Sequence, residues 1–167
     1  MQQDKTALQT ARELRSVRGI SVSTDKTDIR DVERFIIENY LGIPYCHRGR
    51  TMEGLDCWGF LKLVYADLGF ALFDVEDLQY SKVWGLKGRD YFKENYANDW
   101  ISVDDPEPLD GVLFVNSRGI ANHAGVVLQN RRFIHCCRQG VIVSRLDDVS
   151  WQKKVEGFYR LKNGHNS

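Results

Sequence analysis

Five short strand-forming segments near the C-terminal end constrain the fold more than any other feature of this sequence. They are rich in Val, Ile, Phe and Tyr, and they cover residues 111–115, 123–129, 132–136, 140–145 and 156–161. Turn-forming residues lie between them, namely Asn116, Ser117, Gly119, Asn130, Gly140 and Asp147. This close spacing predicts one compact antiparallel sheet.

Two amphipathic helices are predicted ahead of the sheet. In the first, Asp31 can act as the cap, and Gly42 followed by Pro44 ends the helix. Its apolar residues recur at helical spacing, at Val32, Phe35, Ile36 and Tyr40. Helices followed by strands indicate an α+β fold, with the helices packed on a five- to six-stranded antiparallel sheet.

The second helix begins at Asp56 and carries one continuous apolar stripe. The stripe consists of Cys57, Phe60, Leu61, Val64 and Leu68. Gly69 can close the C-terminal end, since glycine tolerates the left-handed backbone that ends many helices. Cys57 is therefore predicted at a helix N-terminus, on the buried face.

The length of 167 residues suits one domain with an arm. We assign residues 1–27 to an N-terminal arm, 28–163 to the domain, and 70–108 within it to a partly helical insertion rich in aromatic residues. The start of the chain lacks the apolar core of a secretory signal, and no stretch is long and apolar enough to span a membrane.

The charge balance argues against a nucleic-acid partner. Lysine plus arginine and aspartate plus glutamate both number 23, without a long block of one sign. Four cysteines, Cys46, Cys57, Cys136 and Cys137, fit neither a disulfide framework nor a structural zinc site. We interpret them as reduced thiols, and no metal or other cofactor is predicted.

Cys57 is the candidate nucleophile. A thiol attacks as thiolate, and the macrodipole and free N–H groups of a helix N-terminus lower its pKa. The same N–H groups can hold an oxyanion. A cysteine on the buried face of a lone helix is more often a packing residue, so the assignment depends on partners elsewhere in the chain.

His123 and His135 are the candidate partners, as general base and as the group that orients it. A turn centred on Gln129 would place the two opposite each other on one face. A tight two-residue turn at Asn130 and Arg131 would instead offset them by about 10 Å and put them on opposite faces. Asn130, which tolerates left-handed backbone, favours a three-residue or bulged turn.

Five ordered sequence blocks resemble the NlpC/P60 cell-wall peptidases. They are Gly42-Ile43-Pro44-Tyr45, Gly54-Leu55-Asp56-Cys57-Trp58-Gly59-Phe60, Asp110-Gly111-Val112-Leu113-Phe114, Asn122-His123-Ala124-Gly125-Val126-Val127 and Arg132-Phe133-Ile134-His135. The Asp-Cys-Trp-Gly form, with a glycine and an arginine ahead of it, is most similar to members encoded with bacteriophage tail genes.

The resemblance implies a papain-like fold and hydrolysis of peptidoglycan stem peptides, commonly between D-isoglutamate and a diamino acid. It implies Cys57, His123 and His135 as the catalytic set and a possible oxyanion role for Tyr45. Asp56 matches an aspartate that is structural and, in some members, binds the free amine of the substrate. Trp58 replaces the usual serine, so recognition of the amine through that hydroxyl is absent.

The sequence leaves two other hypotheses for the function open. The chain could be a catalytically silent tail, assembly or wall-binding protein, or it could be a Cys-His amidase or acyl transferase acting on another acyl substrate. The expected partners are a peptidoglycan stem peptide and phage tail proteins. The expected location is either a virion tail or the cell wall after synthesis in the cytoplasm.

Overall fold

A computed structural model describes residues 28–72 and 99–162. The predicted arm over residues 1–27 and residues 73–98 of the predicted insertion lie outside the described residues. From the insertion, residues 70–72 and 99–108 are described, and Trp100–Val103 forms a strand there. This strand was not predicted from the sequence.

Helix α1 spans Ile29–Tyr40 and buries Val32, Ile36 and Tyr40 on one face. Its N-cap is Asp28, whose carboxylate accepts a hydrogen bond from the N–H of Arg30, so the prediction of Asp31 as cap was wrong. Asp31 lies inside the first turn, where an acidic residue favours the helix dipole without capping it. Gly42, at φ 85°, ends the helix as predicted.

Helix α2 spans Cys57–Asp67, and Asp56 is its N-cap, as the sequence predicts. At the other end Gly69 has φ 90°, and its N–H bonds to Ala66 while the N–H of Phe70 bonds to Tyr65. This pairing is the Schellman motif, which satisfies two helix carbonyls. A small hairpin precedes the helix, formed by strands β1 (Arg50–Thr51) and β2 (Gly54–Leu55).

The main sheet has six strands, and every neighbouring pair is antiparallel. In chain order the strands are β3 (Trp100–Val103), β4 (Gly111–Val115), β5 (Ala121–Leu128), β6 (Arg132–Cys137), β7 (Gly140–Arg145) and β8 (Val155–Leu161). Their order across the sheet is β3-β8-β4-β5-β6-β7. A short helix, α3 (Val149–Gln152), lies between β7 and β8. The predicted α+β class is confirmed.

The two faces of the sheet bury separate apolar clusters. One cluster joins the sheet to both long helices, and its strand residues include Ala124, Val126, Leu128, Ile134 and Cys136. The other lies on the opposite face and comprises Val112, Phe114, Val127 and Phe133, with Trp151 of α3 packed against them. Because side chains alternate along a strand, His123 and His135 project towards this second, smaller cluster.

The turn between β5 and β6 sets how the two histidines meet. Leu128 pairs with Arg132, so residues 129–131 form a three-residue turn, and both Asn130 and Arg131 have positive φ. The turn is therefore centred on Asn130, and neither of the two registers weighed from the sequence is present. The histidines lie diagonally on one face rather than directly opposite.

Glu33 of α1 contacts the residues at both ends of this turn. Its carboxylate accepts a hydrogen bond from the N–H of Gln129 and lies 3.4 Å from the guanidinium of Arg132. Glu33 is only 4% exposed, whereas Arg132 is half-buried, so the ion pair is partly shielded from water. Helix α1 thereby fixes the end of the hairpin that carries the histidines.

Two glycines with positive φ allow a matched test of the packing at the sheet edge. A Cβ at Gly140 would lie 2.6 Å from the carbonyl oxygen of Ile43, whereas a Cβ at Gly119 would meet nothing within 4 Å. We expect Gly140→Ala to lower the free energy of unfolding by about 3 kcal/mol, from strain plus overlap. Gly119→Ala should cost about 1 kcal/mol, from strain alone. Urea unfolding of both variants measures the difference, and equal losses would contradict the predicted overlap.

Candidate active site

Cys57 is the first residue of α2, and its side chain packs against the main core. The backbone N–H groups of Ala124 and Trp58 lie near the thiol and favour its ionised form. The pairing of β5 with β6 runs from Leu128–Arg132 to Val126–Ile134, so Ala124 lies just beyond its recorded end. The side chain is half-buried, and all four cysteines are free thiols.

Asp56 fastens the start of this helix to the preceding loop. One carboxylate oxygen lies 2.7 Å from the N–H of Gly59 and 2.9 Å from the guanidinium of Arg50, and the other accepts a 3.1 Å bond from the N–H of Arg48. The residue is 5% exposed. This arrangement gives Asp56 the structural role that was one of its two predicted roles.

Gly59 explains why the Asp-Cys-Trp-Gly motif ends in glycine. A Cβ at this position would lie 1.9 Å from the carbonyl oxygen of Gly49, a distance that no side chain could occupy. The loop therefore passes directly against the first turn of α2. This close approach brings Arg50 within reach of Asp56. It also fixes the position of the first turn of α2, and with it the orientation of Cys57.

His123 and His135 form a direct hydrogen-bonded pair. Nε2 of His123 lies 2.7 Å from Nδ1 of His135, and Nε2 of His135 lies 2.9 Å from the hydroxyl oxygen of Ser144. His135 has no exposed surface. A Cβ at Gly125 would lie 3.1 Å from Cβ of His135, so the glycine leaves room for His135 on the neighbouring strand.

An aromatic frame surrounds the two imidazoles. The Trp151 ring stacks on His123 at 5.6 Å between centroids and meets His135 edge-on at 4.9 Å. Phe133 stacks on His135 at 4.6 Å, and Phe114 lies 5.8 Å from His123. The rings therefore have fixed planes, and water has little access to them.

Burial keeps the reactive groups neutral in the absence of a ligand. Desolvation, with a smaller contribution from the charge of His135, lowers the pKa of His123 to about 3, and desolvation lowers the pKa of His135 to about 4. Desolvation also raises the pKa of Cys57 above its usual range, and the Asp56 carboxylate adds to this effect.

The pKa of Cys57 is therefore raised by burial and by the Asp56 charge, where the helix N-terminus was expected to lower it. The capping carboxylate of Asp56 offsets the positive end of the helix dipole, so the N–H groups of Ala124 and Trp58 are the remaining features that favour the anion. Loss of solvent around the sulfur outweighs them. The resting pair is a thiol and a neutral imidazole.

Tyr45 and Trp58 flank Cys57 in different ways. Tyr45 forms a bridge with Leu55 beside the start of α2, and it is 38% exposed. Desolvation raises the pKa of its phenol, and the nearby charges of Asp56 and Cys57 add to the effect, so the phenol keeps its proton at neutral pH. The indole of Trp58 packs against the main core.

Three residues of this site were absent from the sequence analysis. Arg50 pairs with Asp56, Ser144 contacts His135, and Trp151 covers both histidines. Alternation along β7 could have placed Ser144 on the face of His135, but the register was needed to bring them together. No local pattern marked Trp151, which follows a capping aspartate in a four-residue helix.

Within residues 28–72 and 99–162, no helix is long and apolar enough to cross a membrane. Across the same ranges, no three His, Cys, Asp or Glu side chains are grouped so that they could hold a metal ion.

The sequence pattern that defines the NlpC/P60 family matches residues 42–160. This chain belongs to the NlpC/P60 family. The match includes His123, His135, Cys57 and the loop with Tyr45, and it ends within β8. The six-stranded antiparallel sheet with its helices agrees with this assignment.

Individual relatives support the same family. The probable endopeptidase NlpC of Escherichia coli K12 is 31% identical over 119 residues, which are 70% of this chain and 68% of that protein. The E. coli K12 murein DD-endopeptidase MepS/murein LD-carboxypeptidase is 24% identical, over 78% of this chain and 64% of its own length.

A solved structure from Staphylococcus aureus, described as similar to a lipoprotein of the NLP/P60 family, has the same fold. It aligns with a TM-score of 0.59 and 19% identity. The alignment covers 86% of this chain and 44% of that one, so the likeness concerns the fold of one part of a longer protein.

The role of Asp56 can be tested against a second capping aspartate. Asp148 caps α3 with a 2.8 Å bond to the N–H of Ser150, but it is exposed and forms no ion pair with the other described residues. We expect Asp56→Ala to cost about 3 kcal/mol of unfolding free energy, because it removes a cap and leaves the buried Arg50 without this carboxylate. Asp148→Ala should cost about 1 kcal/mol. Denaturant unfolding would refute the anchoring role if both losses were equal.

Because both histidines are neutral in the folded protein, we expect acidic pH to lower the free energy of unfolding. Both pKa values lie below that of an unfolded histidine, near 6.5, so the unfolded chain binds more protons and stability falls as the pH drops below about 6.5. Each histidine contributes a slope of about 1.4 kcal/mol per pH unit, down to its own folded pKa. We expect His135→Gln to remove one such contribution in urea unfolding between pH 6.5 and 5. An unchanged slope would contradict the prediction.

Proposed function

We propose that this protein is a cysteine endopeptidase that hydrolyses peptide bonds of peptidoglycan stem peptides. Cys57 is the nucleophile, His123 the general base and His135 the group that orients it. The observation that carries the proposal is the place of the sulfur. It lies near the backbone N–H of Ala124, the residue next to His123, and His123 is hydrogen-bonded to His135.

The hydrogen bonds of His123 leave one ring nitrogen for the thiol. Its Nε2 is engaged with Nδ1 of His135, so Nδ1 is the atom that would take the proton of Cys57. For this, Nδ1 must carry a lone pair while Nε2 carries the hydrogen. The stacked Trp151 ring keeps the imidazole in the required plane.

The neutral resting state determines how the reaction begins. As the sulfur attacks the carbonyl carbon of the scissile bond, the thiol proton moves to Nδ1 of His123, so thiolate character develops only in the transition state. The carbonyl oxygen becomes an oxyanion, for which the N–H groups at the start of α2 and the protonated phenol of Tyr45 are the donors within the site.

The second half of the reaction returns the enzyme to its starting form. The intermediate collapses, the carbon–nitrogen bond breaks, and the imidazolium of His123 protonates the leaving amine. A water then gives a proton to His123 and adds its oxygen to the thioester. Collapse of this intermediate releases the new carboxylic acid and restores the thiol with the proton held by His123.

The substrate proposal rests on the printed names of relatives and on the family resemblance. NlpC is named a probable endopeptidase, and MepS is named for a murein DD-endopeptidase and an LD-carboxypeptidase activity. These names do not agree on one bond. We therefore take the bond that the family resemblance implies, between D-isoglutamate and a diamino acid, as the first to test. Asp56 is already bonded to Arg50, Arg48 and Gly59. Recognition of a free amine through Asp56 and a serine at position 58 is therefore not part of the proposal.

A bacteriophage tail is our proposed setting for this activity. The support is the resemblance of the Asp-Cys-Trp-Gly block, preceded by glycine and arginine, to tail-encoded members of the family. The proposed partners are tail proteins, and the alternative site of action is the cell wall after synthesis in the cytoplasm. This assignment stays a prediction.

Substitution of Cys57 tests the function most directly. We expect Cys57→Ala to reduce cleavage of purified stem peptides by at least about a thousandfold, because no other group can form the acyl intermediate. Cys57→Ser should be almost as inactive. Mass spectrometry of the products gives both the rate and the bond cleaved.

The control is Cys46→Ala, which removes an exposed thiol eleven residues earlier and should retain wild-type activity. Comparable unfolding midpoints would show that all three variants are folded. Cleavage by Cys57→Ala at the wild-type rate would reject the nucleophile. A folded wild type that binds peptidoglycan without releasing products would favour a silent binding protein.

A further inference from the structure

Ser144 is the outermost member of a chain of polar groups that ends at His123. Its hydroxyl oxygen lies 2.9 Å from Nε2 of His135, whose Nδ1 lies 2.7 Å from Nε2 of His123. Ser144 is half-buried on β7 and pairs across the sheet with Phe133 of β6. The family resemblance gives this serine no role.

Only two proton arrangements satisfy both hydrogen bonds while the histidines are neutral. In the first, Nε2–H of His123 donates to His135, and Nε2–H of His135 donates to the oxygen of Ser144. In the second, the hydroxyl of Ser144 donates to His135, and Nδ1–H of His135 donates to Nε2 of His123. Each neutral imidazole carries a single hydrogen, so the direction of the outer bond sets the direction of the inner one.

The two arrangements differ at Nδ1 of His123, the atom proposed to take the proton of Cys57. The first leaves Nδ1 of His123 with a free lone pair, and the second places a hydrogen there. Only the first also accommodates His123 after protonation, because an imidazolium must donate from both nitrogens and His135 must then accept. An acceptor at position 144 is therefore compatible with every step in which His123 gains or loses a proton.

We propose that Ser144 is a positioning residue that accepts the Nε2–H of His135 and thereby holds His123 in the tautomer that can act as a base. This inference rests on the proposed function of Cys57 and His123. The rings of Trp151, Phe133 and Phe114 pack against the two imidazoles and restrict their rotation. The side chain at position 144, which contacts Nε2 of His135, therefore determines which tautomer is present.

Removal of the Ser144 hydroxyl should reverse the direction of the hydrogen bond between His123 and His135. In Ser144→Ala, the buried His135 would lose its Nε2–H acceptor and would donate from Nδ1 to His123 instead. The test is long-range ¹H–¹⁵N NMR of the imidazole rings at pH 7.5, combined with kcat and KM on stem peptides. We expect the Nδ1–H form of His123 to become a major species, and kcat to fall about 10- to 100-fold with little change in KM.

Two further variants complete the design. Ser144→Thr keeps the hydroxyl and should restore both the tautomer and kcat, and Ser102→Ala removes an exposed serine from β3 of the same sheet and should change neither. A drop in kcat for Ser144→Ala without a change of tautomer would overturn the proposal. So would a wild-type spectrum in which Nδ1 of His123 carries the hydrogen, a result that needs no variant to fold.

The NMR measurement also separates this inference from the proposed function, because it is made without substrate. A wild type that shows the expected tautomer but cleaves no stem peptide would refute the endopeptidase assignment while leaving the positioning role of Ser144 in place. A wild type that cleaves normally, with Ser144→Ala equal to it in tautomer and kcat, would refute only the role of Ser144.

Discussion

The buried carboxylate of Asp56 is the interaction on which the rest of the site depends. It caps α2, pairs with Arg50 and accepts the N–H of Arg48, so one side chain joins the helix, the loop and the small hairpin. Because Cys57 follows it directly, the same bonds hold Cys57 at the start of α2, near the N–H of Ala124. The anchor also sets the electrostatics, since its charge opposes ionisation of the thiol.

This opposition explains why the site differs from the thiolate expected at a helix N-terminus. The helix supplies N–H groups to the sulfur, but the capping charge and the loss of solvent together favour the neutral thiol. The same desolvation keeps His123 and His135 neutral. A neutral thiol is a poor nucleophile until a base takes its proton, so the state of the imidazole matters more here than in a preformed ion pair.

The sequence pattern was sufficient to predict α2 from its apolar stripe, and the strands from β4 to β8 from their β-forming residues and the turns between them. It also predicted Cys57, His123 and Gly125 in their observed positions. It did not predict β3, the Asp28 cap or the register of β5 with β6. β3 has four residues and pairs only with the distant β8, and Asp28 and Asp31 are equally good caps when judged by residue type. The pKa of Cys57 depends on burial, which no local pattern encodes.

The register of β5 and β6 shows how contacts far from the sulfur define the candidate chemistry. Glu33 of α1 holds the three-residue turn through Gln129 and Arg132, and this turn places Gly125 beside His135. A shift of one residue would turn one histidine to the opposite face, where Ala124 and Ile134 belong to the main core. The hydrogen bond between His123 and His135, and through it the contact with Ser144, therefore depends on the Glu33–Arg132 ion pair at the other end of the hairpin.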